Sequence, residues 1–150
     1  MLSVIKHIDQ WVKEIIKDDP VRSELPAEFR INESSEMFAL WSNENMGAIC
    51  CVTYTDDIPE SIEEMDWLRA PLGNCAVFYT IWSYEKGCGR DLINKASEYI
   101  KLEYPQIQNL VTLSPKTEMA EKFHIRNGAW KFRENPETIN YAYELDGQKN

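Results

Sequence analysis

Apolar positions recur every three to four residues at the start of the chain. Leu2, Ile5, Ile8, Trp11 or Val12, Ile15 and Ile16 make one stripe, which predicts a helix over residues 2–17. Asp18, Asp19 and Pro20 end it, since proline cannot continue the backbone ladder. His7 lies off the stripe and faces solvent in this reading. Residues 21–35 lose the period at Pro26, Asn32 and the paired serines, so a loop with one helical turn near residues 27–30 is expected. Residues 36–42 and 46–55 then read as two strands of a hairpin joined by Asn43, Glu44 and Asn45. Asp56, Asp57, Ile58 and Pro59 close the hairpin. A short helix over residues 61–68 follows, with Ser61 as N-cap and Glu64 three residues on.

The eight residues 75–82, Cys-Ala-Val-Phe-Tyr-Thr-Ile-Trp, are long and apolar enough for a buried strand. Residues 91–101 are helical, with Leu92, Ile93, Ala96, Tyr99 and Ile100 on one face, and Tyr104-Pro105 stops them. Residues 109–115 form a further strand. Residues 116–127 form a helix with Met119, Ala120 and Phe123 inward, Thr117 or Ser114 as cap, and Gly128 as the left-handed stop. Residues 129–133 and 139–145 make a closing strand pair, and 146–150 are a polar tail.

At 150 residues and 43% hydrophobic composition, without repeats or low-complexity linkers, the chain reads as one domain, residues 1–150. No apolar run approaches the roughly 18 residues of a membrane span, and the first residues resemble neither a signal nor a transit peptide. Membrane partners are therefore not expected, and a cytoplasmic location is. The net charge of −9 argues against a basic nucleic-acid surface and suits a cationic acceptor. Four cysteines, Cys50, Cys51, Cys75 and Cys88, show no metal-ligand spacing. Cys50 and Cys51, adjacent in a strand, point to opposite faces.

The candidate chemistry lies between strand and helix, in Ser83-Tyr84-Glu85-Lys86-Gly87-Cys88-Gly89-Arg90. A strand, a G-x-G turn and a helix N-terminus together aim backbone N–H groups at one anion. The glycines let the backbone come close, and the helix dipole adds partial positive charge. A pyrophosphate site is the functional reading of this stretch, and a plain tight turn is the other.

Taken with its flanking elements, this stretch resembles the GNAT family, the GCN5-related N-acetyltransferases. The resemblance covers residues 75–145, and the hairpin at 36–55 fits the family's central one. The family's Q/R-x-x-G-x-G/A loop appears as Tyr84-Glu85-Lys86-Gly87-Cys88-Gly89, with Tyr84 in place of Gln or Arg. The later N-x-x-A-x-x-L-Y-x-x-x-G-F motif appears as residues 117–129. There Ala120, Phe123 and Gly128 keep register, Thr117 replaces Asn, His124 replaces Tyr and Ala129 replaces the aromatic. The family's first strand is not evident, because the chain opens with a helical pattern.

The resemblance implies an α+β, three-layer fold. It has a central, mostly antiparallel twisted sheet with a splayed parallel strand pair, and helices on both faces. It also implies acetyl-CoA as cofactor, with pantetheine along the strand at Ile81 and Trp82, in a slot opened by strands parting after Trp82 and after Leu113. Tyr84, Lys86, Gly87, Cys88, Gly89, Arg90 and Thr117 would serve the cofactor, the N–H groups of residues 87–90 holding the pyrophosphate. His124 would serve the departing thiolate, its protonated form favoured by the helix C-terminus.

No general base is identifiable. Asp56 and Asp57 are candidates for it and equally for turn formation, while Tyr79, Tyr84 and Tyr141 are candidates for lining the site. Glu63, Glu64 and Asp66 beside Trp67 are candidates for an acidic lip. Cys88, at a helix N-terminus, is expected to have a depressed thiol pKa.

Three functions follow as expectations. The first is direct transfer of an acetyl group to an amine acceptor, small molecule or peptide. The second is a malonyl-CoA decarboxylase-like reaction, which Thr112-Leu113-Ser114-Pro115 and the downstream His124 resemble. The third is a non-catalytic acyl-CoA-binding module. A homodimer through the terminal strands is also expected.

Overall fold

Eight strands join into one mixed sheet in the computed structural model, which describes residues 1–145. The elements run β1 (Leu2–Ile5), α1 (Gln10–Ile16), α2 (Ala27–Arg30), β2 (Ser35–Ser42), β3 (Asn45–Thr55), α3 (Ile62–Trp67), β4 (Cys75–Ser83) and α4 (Cys88–Glu103). They continue with β5 (Asn109–Thr112), β6 (Ser114–Pro115), α5 (Glu118–Arg126), β7 (Trp130–Glu134) and β8 (Thr138–Tyr143). The strand order is β1-β2-β3-β4-β5-β8-β6, with β7 on β8. β4 and β5 pair in parallel, while the other pairings are antiparallel. The polar tail expected at 146–150 lies outside the described residues.

The sheet carries a core on each face. Phe38, Cys50, Leu92, Ile93, Ala96 and Ile100 meet on the α4 side. Val12, Ile16, Met37, Cys51 and Met65 meet under α1, α2 and α3. Cys50 and Cys51 fall on opposite faces, as strand alternation requires. Four fully buried apolar side chains hold α4, of which Leu92, Ile93 and Ile100 each contribute roughly 1.5–3 kcal/mol and Ala96 less.

The helix expected over residues 2–17 is two elements. Residues 2–5 pair antiparallel with β2, Leu2 opposite Leu40 and Ile5 opposite Met37. Leu2 and Val4 pack toward the α4 face and Ile5 toward the other, a period of two that helical spacing at Leu2 and Ile5 conceals. The open edge of β2 decides the matter, because its unpaired backbone groups are satisfied by a strand. This is the first strand that the sequence pattern hid.

Other differences are small. α4 begins at Cys88 rather than residue 91, because Gly87 adopts φ +86° and lets the helix start at once. Met119 is 82% exposed rather than inward. Thr117 Oγ1 accepts from the Ala120 N–H at 3.2 Å and caps α5, and Gly128, at φ +98°, ends it. Ser61 Oγ likewise accepts from the Glu64 N–H at 3.1 Å. The strand expected over 109–115 breaks at Leu113, its first part pairing with β4 and its last with β8.

Candidate active site

The site begins where β4 leaves β5. Their parallel register runs from Cys75 opposite Asn109 to Phe78 opposite Thr112, and the Leu113 N–H still reaches Phe78 O at 3.0 Å. Beyond that the strands part, four residues before Trp82, where the parting was expected. The cause is a β-bulge. Cys51 pairs with Thr80 and Val52 with Phe78, so Tyr79 is an extra residue that bends β4 away from β5. A cleft of about 580 Å³ opens there. Its walls are β4 from Phe78 to Ser83, the segment Leu113 to Pro115, one face of α5 at Thr117, Ala120, Phe123 and His124, and Asp18, Pro20 and Val21.

The turn into α4 closes one end of this cleft. A second bulge, at Gly47, frees a carbonyl that accepts the Tyr84 N–H at 2.7 Å and the Glu85 N–H at 3.2 Å. A Cβ on Gly47 would sit 2.6 Å from Cys88 Sγ, so a side chain there would press on Cys88 where β3 meets the turn. Nothing lies within 4 Å of a Cβ placed on Gly87, whereas one on Gly89 would meet the Phe123 ring at 3.3 Å. Gly87 therefore faces open space, and Gly89 lets α4 approach α5. The N–H groups of Lys86, Gly87, Gly89 and Arg90 have no backbone acceptor among the described residues. The Cys88 N–H, expected to be a fourth phosphate donor, instead bonds Glu85 O at 3.2 Å. Lys86 and Arg90 are exposed beside the turn and outside the cleft wall. These free donors and this open space fit a diphosphate.

His124 lies in the cleft wall and is 5% exposed. Its Nδ1 lies 2.7 Å from the Tyr143 hydroxyl, and its ring stacks on Tyr141 at 5.2 Å. Burial lowers its pKa to about 4, so the imidazole is neutral at physiological pH. This overturns the expected imidazolium: desolvation exceeds the helix C-terminal field. Ser114 joins His124 in the wall, its hydroxyl donating to Thr112 Oγ1 at 2.8 Å.

Trp82, Tyr84 and Asp18 form a chain at the mouth. Trp82 Nε1 donates to the Tyr84 hydroxyl at 3.0 Å, and that hydroxyl donates to Asp18 Oδ2 at 2.8 Å. Burial and the Asp18 carboxylate push the Tyr84 hydroxyl up to about 12. Ile81 and Thr117 also line the cleft, Thr117 with its hydroxyl committed to the α5 cap.

Several candidates fall elsewhere. Asp56 and Asp57 are exposed in the turn after Thr55, beside the start of β4 and at the far end from the cleft. Asp57 Oδ1 accepts the Ile58 N–H at 2.8 Å, a turn role. Glu63, Glu64 and Asp66 sit on α3, outside the cleft wall. Glu64 caps its own helix through the Glu60 N–H, and Asp66 pairs with Arg69. Tyr141 lies beneath His124 rather than in the wall. The Cys88 thiol is held above its ordinary range by partial burial and by Glu85 and Asp91, not below it.

A buried polar hub behind the cleft carried no sequence signal. Asp19 Oδ1 accepts from the Val21 and Arg22 N–H groups, each at 3.0 Å, and from Thr80 Oγ1 at 2.8 Å. Its Oδ2 accepts from Arg30 Nη1 at 2.8 Å. Arg30 also donates to Leu25 O at 2.9 Å and Arg22 O at 2.6 Å. The Arg22 side chain donates to Tyr79 O and Leu113 O, both at 2.9 Å.

The fold is that of the GNAT acetyltransferases. The chain superposes on the loading GNATL domain of CurA from Lyngbya majuscula with a TM-score of 0.68 at 12% identity, over 96% of this chain and 98% of that one. A Bacillus subtilis acetyltransferase solved in complex with CoA gives 0.61 at 11% identity, over 96% and 97%. Malonyl-CoA decarboxylase from Agrobacterium vitis gives 0.66 at 24% identity, over 91% of this chain and 38% of that one. The chain thus spans little more than a third of the decarboxylase it matches. No family model and no curated protein matches the sequence. Among the described residues, no helix is long and apolar enough to cross a membrane.

Proposed function

We propose that the cleft binds a CoA thioester and that the protein is an enzyme acting on the acyl group. The observation behind this reading is the joining of two features in one cavity: the parting of β4 from β5 and the glycine-led start of α4. The free N–H groups of Lys86, Gly87, Gly89 and Arg90 suit the diphosphate, with the Lys86 and Arg90 side chains alongside. Ile81 and Trp82 border the path of the pantetheine. His124, neutral, holds a hydrogen bond at the thioester sulfur or carbonyl in the position where the family has Tyr.

Direct transfer of an acetyl group to an amine is the reaction typical of the fold. The amine nitrogen attacks the carbonyl carbon, the carbon–sulfur bond breaks, the nitrogen loses a proton and the thiolate gains one. Among the described residues, Asp18 is the one carboxylate in the cleft wall, and it already accepts the Tyr84 hydroxyl. A malonyl-type thioester needs no such base. Its carbon–carbon bond breaks, carbon dioxide leaves, and the α-carbon takes up one proton. Ser114 and a neutral His124 in one largely apolar cleft favour this second reading, as does the likeness to the Agrobacterium vitis decarboxylase.

Calorimetric titration with acetyl-CoA and malonyl-CoA, followed by mass spectrometry of the products, tests the proposal. Micromolar binding is expected. Free CoA formed only with an added amine identifies transfer, and acetyl-CoA formed from malonyl-CoA alone identifies decarboxylation. Binding without product leaves a non-catalytic acyl-CoA module. Absence of binding to either thioester overturns the reading.

A further inference from the structure

We infer that Arg22 is a positioning residue that wedges the cleft open where the two strands part. The bulge at Tyr79 and the parting at Leu113 each leave a backbone carbonyl without a strand partner. A buried carbonyl left without a donor loses the hydrogen bond it had in water and gains nothing in return. Arg22 satisfies both with one guanidinium, Nε on Tyr79 O and Nη2 on Leu113 O, each at 2.9 Å. A planar fork spans two acceptors on two strands, whereas the single ammonium of lysine does not hold that geometry. Arg22 is itself held from behind: its N–H donates to Asp19, and its carbonyl accepts from Arg30. The spacing of β4 and Leu113 where the strands part is thereby tied to the α1–α2 connection. Val21, the adjacent residue, lines the cleft, so the same connection shapes the wall the acyl group would meet.

The effect on ligand rests on the cleft reading proposed above, and the effect on strand spacing does not. The experiment therefore has two arms on the variants Arg22→Gln and Arg22→Lys. The first is hydrogen exchange of the Leu113 amide, whose bond to Phe78 O is the last before the strands part. Both variants should exchange Leu113 about tenfold faster, with the Val111 amide unchanged. Unchanged Leu113 exchange in both variants overturns the wedge whether or not a ligand binds.

The second arm is calorimetry with acetyl-CoA and with the phosphoadenosine diphosphate portion of CoA alone. Arg22→Gln should lose about tenfold in acetyl-CoA affinity and keep the affinity for the phosphate portion, and Arg22→Lys should not restore the loss. Equal losses for both ligands, or no loss, overturn the role toward substrate. If the wild-type protein binds neither ligand, the cleft reading fails and the exchange arm alone decides the wedge. A variant that fails to fold is replaced by Arg22→Met, which keeps the stem packing without the donors.

Discussion

His124 Nδ1 and the Tyr143 hydroxyl lie 2.7 Å apart, joining the last turn of α5 to the end of β8 beneath the cleft. The pair orients an imidazole that burial keeps neutral, with its pKa lowered to about 4. A histidine whose folded pKa lies below its unfolded value of about 6.5 contributes stability above pH 6.5. That contribution is lost as pH falls from about 6.5 to about 4, and amounts to on the order of 3 kcal/mol. Urea unfolding of the wild type and His124→Gln at pH 7 and pH 4 should show the wild type losing that much more than the variant. Parallel losses would place the imidazole in water. If His124 also serves catalysis, His124→Phe lowers the turnover number at saturating substrate, and an unchanged turnover number excludes that role.

Gly87→Asp should abolish CoA binding while leaving the fold intact. The position has φ +86°, and nothing lies within 4 Å of an added Cβ. The cost to stability is therefore backbone strain of about 1–2 kcal/mol, small beside the packing that anchors α4. A negative charge at the helix N-terminus would repel a diphosphate. Calorimetry with CoA and a thermal melt check both halves, and wild-type affinity in the variant would remove the phosphate-site assignment.

Asp19 and Arg30 form an ion pair with both side chains fully buried. Burial alone would push the Asp19 carboxyl upward, but the Arg22 and Val21 N–H groups, Arg30 and Thr80 outweigh it and hold its pKa below the ordinary range. Removing one partner leaves an uncompensated buried charge, so Arg30→Met should cost about 3–5 kcal/mol by urea denaturation. Arg30→Met combined with Asp19→Asn should cost less than Arg30→Met plus Asp19→Asn measured singly. Additive losses would mean the two do not depend on each other.

These cases show what the chain makes legible. The Cys75–Ser83 strand, its glycine turn and the apolar face of α4 are local patterns, each dictated by residues adjacent in sequence, and they carry the fold. β1 was hidden because Leu2 and Ile5 fit a helical stripe while Leu2 and Val4 fit a strand, and four residues do not decide between them until β2 offers an edge. Arg22, Asp19 and Arg30 were hidden for a related reason. The partners of Arg22 and Asp19 on the sheet, Tyr79, Thr80 and Leu113, lie 57 to 91 residues away, Arg30 reaches Asp19 and Arg22 across a loop, and nothing in the local pattern marks any of them. His124 was placed by motif register, but its charge state depends on the burial that Tyr141 and Tyr143 create.

Gly47 and Cys88 offer the last test, because they lock β3 to the turn before α4. A Cβ on Gly47 would lie 2.6 Å from Cys88 Sγ and 3.1 Å from Cys88 Cβ. The sulfur is the nearer atom and must move aside, and the Cβ must give by a few tenths of an ångström. Gly47→Ala should therefore destabilise the protein by about 1–3 kcal/mol, the usual range for overpacking. Cys88→Ala, which removes only the sulfur, should cost less. Together they should recover part of the loss, a coupling of about 0.5 kcal/mol or more in a double-mutant cycle. Strict additivity would show that the turn yields without touching Cys88. Gly47 O also holds the Tyr84 and Glu85 N–H groups, so Gly47→Ala should weaken CoA binding as well, and Cys88→Ala should restore it in step with stability. Restoration of stability without binding would mean that the carbonyl, not the contact with Cys88, sets the turn.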